Sequence, residues 1–341
     1  MRPILAPAVR PPIEPLSTPP TFSILVAVYQ AADVVAEAVG SALGQTVPPL
    51  EVVVCDDGST DDVAGALSPF RDQVTLISKE NGGEASAKNA AARAAAGEFL
   101  AILDADDVYL AERLEALGEL ARARPDLDVL TTDAVLEVDG EPVRRCYTDE
   151  LPFEVEDQRS AILRRNFVFG LAAVRRERFL AAGGFDEALR YATDWDLWAR
   201  LILDGSRVGL VAESLARYRL RSGSLSSQRP ALLAGRVAVL EKAAESSSLT
   251  ASERKVVAAS LRLERRRLAV ARARAALLGE LPAPRRRSLA VALGRGHGLR
   301  TRAKAAAASI APRRAGSSLG SRARETTGGI ALEQGDAEPD R

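Results

Sequence analysis

From Thr21 onward, short, mainly apolar runs alternate with stretches in which apolar residues recur every three or four positions. Phe22–Tyr29, Leu50–Cys55, Val74–Ile77 and the run from Gly97 to Leu103 form the first set, and unbroken runs of that length read as strands buried on both faces of a sheet. Helical spacing is carried by Val34, Val35, Ala38, Val39 and Leu43, by the Ala-rich stretch Glu84–Ala96, and by a Leu-periodic stretch from Leu110 to about Ala123. Asp33 is expected to cap the first helix and Gly44 to stop it. Strands and helices in this rhythm predict an α/β fold with a doubly wound, mostly parallel sheet.

After Pro125 the alternation loosens. Val129-Leu130 continues as a strand, and Val135–Val143 reads as a hairpin turning at Asp139-Gly140. Leu151 to Arg165 is expected to include a short helix, Phe167–Val174 a strand, and a further helix surrounds Arg178–Ala182 before Gly183-Gly184. Thr193–Ile202 opens another helix, with acids in its first turn. From Pro230 the texture turns to Ala, Leu and Arg, and Ala231–Ala244, Ser252–Leu278 and Arg285–Leu293 read as helices. The expected organisation is a disordered, proline-rich leader over residues 1–20, an α/β domain over 21–228, a basic helical extension over 229–311 and a disordered tail over 312–341.

Charge separates these parts. The 46 Lys and Arg balance the 46 Asp and Glu overall, yet residues 1–228 hold 23 basic against 36 acidic side chains and residues 229–325 hold 22 against 6. An acidic body and a basic appendage imply two different partners. Two cysteines, Cys55 and Cys146, are too few for a disulfide framework or a zinc cluster. No apolar stretch reaches the roughly 18 to 20 residues that span a bilayer, and residues 1–20 lack a hydrophobic signal core, so a soluble cytoplasmic protein is expected.

The candidate chemistry lies where apolar runs end in carboxylates. Leu103-Asp104-Ala105-Asp106-Asp107 and Cys55-Asp56-Asp57-Gly58-Ser59 both place acids at the carboxyl end of a strand, where open α/β sheets bind ligands. Carboxylates this close repel unless a cation neutralises them. Magnesium or manganese is the economical choice, and such ions usually bring phosphate. The plainer alternative is that Asp107 caps the helix beginning near Leu110.

Four stretches in order, Ser23–Gln30, Leu50–Asp61, Asn81–Ala91 leading to Leu103–Asp107, and Gly183–Glu187 followed by Thr193–Leu201, resemble the family-two inverting glycosyltransferases with the GT-A fold. The resemblance covers about residues 21–228 and does not reach the C-terminal helices. It implies that Val28 and Tyr29 border the base and ribose of a nucleotide, and that Asp56 or Asp57, with Asp57 preferred, accepts a hydrogen bond from them. It further implies that Gly82 and Gly83 let the backbone pass close to the nucleotide. Lys88, where relatives often carry Arg, would supply charge near phosphate or ribose without a bidentate fork. Asp104 and Asp106 would hold magnesium or manganese against the diphosphate of a nucleotide sugar, Asp106 being the first choice for direct ligation. Asp194 would be the general base.

Thr193 stands where the family has Glu, and Arg221 where many relatives have His. Arg221 could contact phosphate but cannot ligate a metal. Trp195 and Trp198 read as packing residues, with Trp195 also a possible platform for an acceptor sugar. His297, the single histidine, sits among glycines with no orienting partner. The implied partners are a nucleoside-diphosphate sugar, with UDP the expected nucleotide, and a glycan, lipid-linked or other hydroxyl acceptor. The basic helices either pack on the body with a solvated face or contact an anionic membrane surface. Nucleic-acid binding is not expected, because aromatics do not interleave the basic residues. A non-catalytic nucleotide- or glycan-binding scaffold is the alternative class. A nicotinamide-dependent oxidoreductase is disfavoured because Tyr29-Gln30-Ala31-Ala32-Asp33, not a Gly-X-Gly-X-X-Gly turn, follows the first strand.

Overall fold

A computed structural model describes residues 19–220 and 229–277. The described residues fall into two compact units, one ending at Arg219 and the other beginning at Leu220. In chain order the first unit carries β1 (Phe22–Val28), α1 (Val35–Leu43), β2 (Glu51–Asp56), α2 (Val63–Ala66), β3 (Thr75–Ser78), α3 (Glu84–Ala94), β4 (Phe99–Asp104) and β5 (Val108–Tyr109). It continues with α4 (Arg113–Ala123), β6 (Val129–Val138), β7 (Glu141–Arg145), α5 (Gln158–Ile162), β8 (Ala173–Arg175), α6 (Arg176–Ala181), α7 (Thr193–Leu203) and β9 (Val208–Leu220).

One sheet runs in the order β3-β2-β1-β4-β8-β6-β9-β5, with β7 added on β6. The first four strands pair in parallel. β8 is antiparallel to both β4 and β6, which is why strand–helix periodicity fades in the sequence after Pro125. The central strands β1, β2 and β4 are almost wholly buried, as expected of unbroken apolar runs. Ile24, Val26, Val28, Val52, Val54 and Leu103 share a core with Val35, Val39, Leu114 and Leu117 of α1 and α4. Strand side chains alternate, so Leu25, Val53, Leu100 and Ile102 face the other side. The alanines of α3, which packs on β1 and β2, allow close approach there.

Several boundaries differ from the sequence reading. α1 starts at Val35 with Val34 at the N-cap and no side-chain cap, so Asp33 does not fill that role. The expected strand Phe167–Val174 shortens to Ala173–Arg175, because only these residues pair with β4 and β6. Asp139 and Gly140 both adopt positive φ, 52° and 83°, and form the predicted hairpin turn.

The second unit contains α8 (Arg229–Ala244) and α9 (Ala251–Leu277). Thr250 and Glu253 form a reciprocal capping box: the Thr250 amide donates to Glu253 Oε2 (2.7 Å) and the Glu253 amide to Thr250 Oγ1 (3.2 Å). Leu233 and Val237 of α8 pack with Leu268 of α9. The leader, Arg221, the helix expected over Arg285–Leu293, His297 and the 312–341 tail lie outside the described residues, save Pro19 and Pro20 of the leader.

Candidate active site

Parallel pairing sets the tips of three strands side by side. Val28 of β1 is in register with Asp56 of β2, and Ala27 with Asp104 of β4, so the two acid-tipped strands flank the end of β1. Val28 is buried beneath this edge and Tyr29, next along the chain, is 53% exposed. Gln30 then adopts a φ of 51°, held by its amide donating to Ser59 Oγ (3.1 Å) and its side chain donating to Thr60 Oγ1 (2.8 Å). The Ala32 amide donates to Asp61 Oδ2 at 2.8 Å, which ties the β1–α1 loop to the β2–α2 loop.

Asp57 is satisfied within the protein. Its Oδ1 accepts from Lys79 Nζ (2.7 Å) and the Gly82 amide (3.0 Å), and its Oδ2 accepts from the Gly83 amide (2.7 Å). Only 2% of Asp57 is exposed, so the carboxylate shapes the Asn81-Gly82-Gly83 turn. Asp56 is half-exposed, and its Oδ1 accepts from the Ser59 amide (3.0 Å). Gly58, at φ +76°, is required here: a Cβ would stand 2.9 Å from the Asn81 amide nitrogen.

Lys88 projects from α3 into the carboxylate edge and is 4% exposed. It pairs with Asp104 Oδ1 (2.7 Å) and Glu84 Oε1 (2.5 Å). Burial opposes its charge, but the two carboxylates outweigh that and hold its pKa above the usual lysine value. Asn89, the next residue, grips the Gly183–Glu187 motif. Its Oδ1 accepts from the Phe185 amide, and its Nδ2 donates to the Phe185 carbonyl and to Glu187 Oε1, each at 2.9 Å. Arg200 of α7 donates to the Ala182 and Gly184 carbonyls, at 2.6 and 2.7 Å, while pairing with Asp196 (2.8 Å).

The Asp104–Asp107 turn is strongly acidic. Asp107 is fully buried and does not cap α4, which begins at Arg113; its Oδ1 accepts from the Arg219 amide (2.8 Å). Its Oδ2 has no hydrogen-bond partner among the described residues. Burial, then the charges of Asp104 and Asp106, push the Asp107 carboxyl well above the ordinary carboxylate range. Arg219 also donates to the Asp106 carbonyl and pairs with Glu37 of α1 at 2.6 Å. No group of three or more His, Cys, Asp or Glu side chains forms a metal cage among the described residues. One or two carboxylates suffice for magnesium- or manganese-like ions when phosphate oxygens complete the shell. Asp104 and Asp106, on a turn with an orphaned buried carboxylate oxygen, fit that arrangement.

Asp194 sits in the first turn of α7, just after Ala192, whose φ of 58° is unusual for alanine. Its Oδ1 accepts from the Trp195 amide (2.7 Å) and its Oδ2 from Asn166 Nδ2 (2.8 Å). Burial raises its pKa against the opposing Trp195 amide, and Glu84, Lys88 and Asp104 all act on it electrostatically. The structure therefore gathers Asp194, Lys88, Glu84 and Asp104 from α7, α3 and β4 into one electrostatic neighbourhood. Trp195 is buried with its indole donating to the Ile162 carbonyl (2.8 Å), so it is a packing residue, not a sugar platform. Asn166, Asn89, Glu84 and Ala192 were not singled out by the sequence. Asn89 and Glu84 lie inside the quoted Asn81–Ala91 motif; nothing local marks Asn166 or Ala192.

Comparison with known proteins gives a consistent result. Residues 23–183 match the family model for Glycosyl transferase family 2. The chain is 32% identical over 220 residues to the succinoglycan biosynthesis protein ExoO of Rhizobium meliloti, covering 61% of this chain and 63% of that one. It is 34% identical over 187 residues to the chondroitin synthase of Pasteurella multocida, covering 53% of this chain and 19% of the synthase. The chain thus matches less than two thirds of either relative. Among solved structures, S. aureus TarS 1-349 in complex with UDP-GlcNAc superposes with a TM-score of 0.59 at 20% identity, covering 89% of this chain and 92% of that one. The mannosyltransferase PcManGT from Pyrobaculum calidifontis, in complex with GDP-Man and Mn2+, gives 0.59 at 21% identity, covering 91% and 81%. Both likenesses concern the fold.

Proposed function

We propose that this chain is a family 2 glycosyltransferase that moves a sugar, with inversion, from a UDP-linked donor to a hydroxyl of a glycan or lipid-linked acceptor, a reading supported by the family-model match over residues 23–183 and by the GT-A fold likenesses. The observation carrying this reading is the ion pair of the buried Lys88 with Asp104, at 2.7 Å on the acid-tipped strand edge, with the Asp194 carboxylate of α7 near enough to feel both charges. A base and a phosphate-facing edge in one neighbourhood are the two halves of a displacement at an anomeric carbon.

In this reading Val28 and Tyr29 line the nucleotide site. Asp56 takes the hydrogen bond to base or ribose, because Asp57 is committed to the Gly82-Gly83 turn. Gly83 gives the backbone its close approach, at a φ of 90°. Asp194 removes the proton of the acceptor hydroxyl as its oxygen bonds to the anomeric carbon from the face opposite the diphosphate. The bond from that carbon to the diphosphate oxygen breaks, and the nucleoside diphosphate leaves with the electron pair. The transition state is oxocarbenium-like, as in glycoside hydrolysis. Asp104 and Asp106 would hold magnesium or manganese, which supplies charge neutralisation for the departing diphosphate. UDP and manganese rest on the structural neighbours, one bound to UDP-GlcNAc and one to GDP-Man and Mn2+. A polysaccharide acceptor rests on the names of the curated relatives.

The test is release of UDP from a panel of UDP-sugars with manganese present. Slow hydrolysis of at least one donor, abolished in Asp106→Ala and in Asp194→Asn, is expected. A protein that binds donors yet gives the same trace before and after Asp194→Asn is a scaffold, and the reading fails.

A further inference from the structure

The helix α9 sorts its charges by sign. At 3.6 residues per turn, Arg254, Lys255, Arg262, Arg265, Arg266 and Arg272 fall within an arc of about 120°. All are exposed except Arg272, which is half-exposed. The two acids of the helix, Glu253 and Glu264, lie on the opposite side and are buried. The positions between the cations on that arc are alanines, Ala258, Ala269 and Ala273 among them, so no acid or bulky side chain interrupts the strip. Among its cations, Arg265 meets an acid of α8, Glu241, at 2.7 Å. The strip is about 27 Å long at 1.5 Å per residue.

We propose that this face of α9 docks on an anionic lipid bilayer. The inference does not depend on the transfer reaction. The strip presents six cations to a plane while another face of α9 packs on α8; of the two remaining cations of the helix, Arg267 pairs with Glu264 at 2.7 Å and Arg274 is exposed beyond the strip. Residues 229–277 contain no aromatic side chain to stack on bases. The same absence of aromatics, and the alanines between the cations, leave the strip itself no bulky side chain to insert among acyl chains, so the attachment is electrostatic and reversible by salt. No helix among the described residues is long and apolar enough to cross a membrane.

The experiment is sedimentation of the full chain with phosphatidylcholine vesicles, with and without phosphatidylglycerol, across a salt series and without donor. Binding that requires phosphatidylglycerol and disappears at high salt is expected. Lys255→Gln/Arg262→Gln/Arg266→Gln should weaken it on the order of a hundredfold. The same loss of charge on the first unit, Arg71→Gln/Arg93→Gln/Arg122→Gln, should change it little. Circular dichroism of both variants and unchanged donor hydrolysis establish that folding and the active site persist. Should the helical variant misfold, the lipid and salt dependence of the unaltered chain still decides. Binding indifferent to phosphatidylglycerol, equal loss in both variants, or retention on duplex DNA with no vesicle binding would overturn the proposal.

Discussion

Asn166 donates its amide hydrogen to Asp194 Oδ2 at 2.8 Å, and the same Asn166 accepts from the Val168 amide at 3.2 Å. The amide orientation is thereby fixed, and with the Trp195 amide on Oδ1 it holds the carboxylate in one rotamer. Asn166 is a positioning residue for the proposed base. Asn166→Ala should lower kcat about tenfold, the equivalent of one charge-assisted hydrogen bond, and leave donor affinity unchanged. Asp194→Asn should cost on the order of a hundredfold or more in kcat, again without loss of donor binding. Steady-state kinetics paired with donor titration separates kcat from affinity for both.

The raised pKa of Asp194 fixes the direction of a pH dependence. A general base works in its ionised form, so kcat/KM should fall as pH drops through this group. Burial places that acid limb above the ordinary aspartate range. Removing the Asn166 donor withdraws stabilisation from the ionised form, and the limb of Asn166→Ala should move to still higher pH. A purely structural Asn166 would lower the whole profile without displacing it.

Lys88 lies between two carboxylates in a buried setting. Lys88→Met leaves Asp104 and Glu84 uncompensated. Both are about a third exposed, so the cost should sit near the lower end for a broken buried pair, about 2 to 3 kcal/mol in chemical denaturation. Lys88→Arg keeps the charge and should recover part of the loss.

Gly184 carries a φ of +73°, and a Cβ there would stand 2.5 Å from Asn89 Oδ1. Asn89 cannot yield without losing its hydrogen bonds to Phe185 and Glu187. Gly184→Ala should therefore cost about 2 kcal/mol of stability and loosen α3 where Lys88 enters the site. Urea denaturation reads the first effect, and hydrogen exchange of the Lys88 and Asn89 amides the second.

Much of this was legible in the chain because the deciding patterns are local. Unbroken apolar runs ending in acids mark β2 and β4 and their carboxyl ends, and Asp139-Gly140 marks its hairpin. The antiparallel half was harder: β8 is three residues long and owes its existence to pairing with β4 and β6, which no local periodicity encodes. The site divides likewise. Asp104, Asp106, Lys88 and Asp194 lie in motifs, whereas Asn166 belongs to an unremarkable loop and acquires meaning only when α7 arrives beside it. The resemblance prefers Asp57 over Asp56 for the nucleotide contact; the fold instead spends the Asp57 carboxylate on the Gly82 and Gly83 amides, a commitment that no local pattern announces.

Isothermal titration of UDP into the full chain, with and without manganese, tests the central claim most directly. Binding should require manganese, be lost in Asp106→Ala and persist in Asp194→Asn. Equal UDP affinity with and without the metal, or undiminished binding by Asp106→Ala, would contradict the assignment of the Asp104–Asp106 turn to the donor's diphosphate.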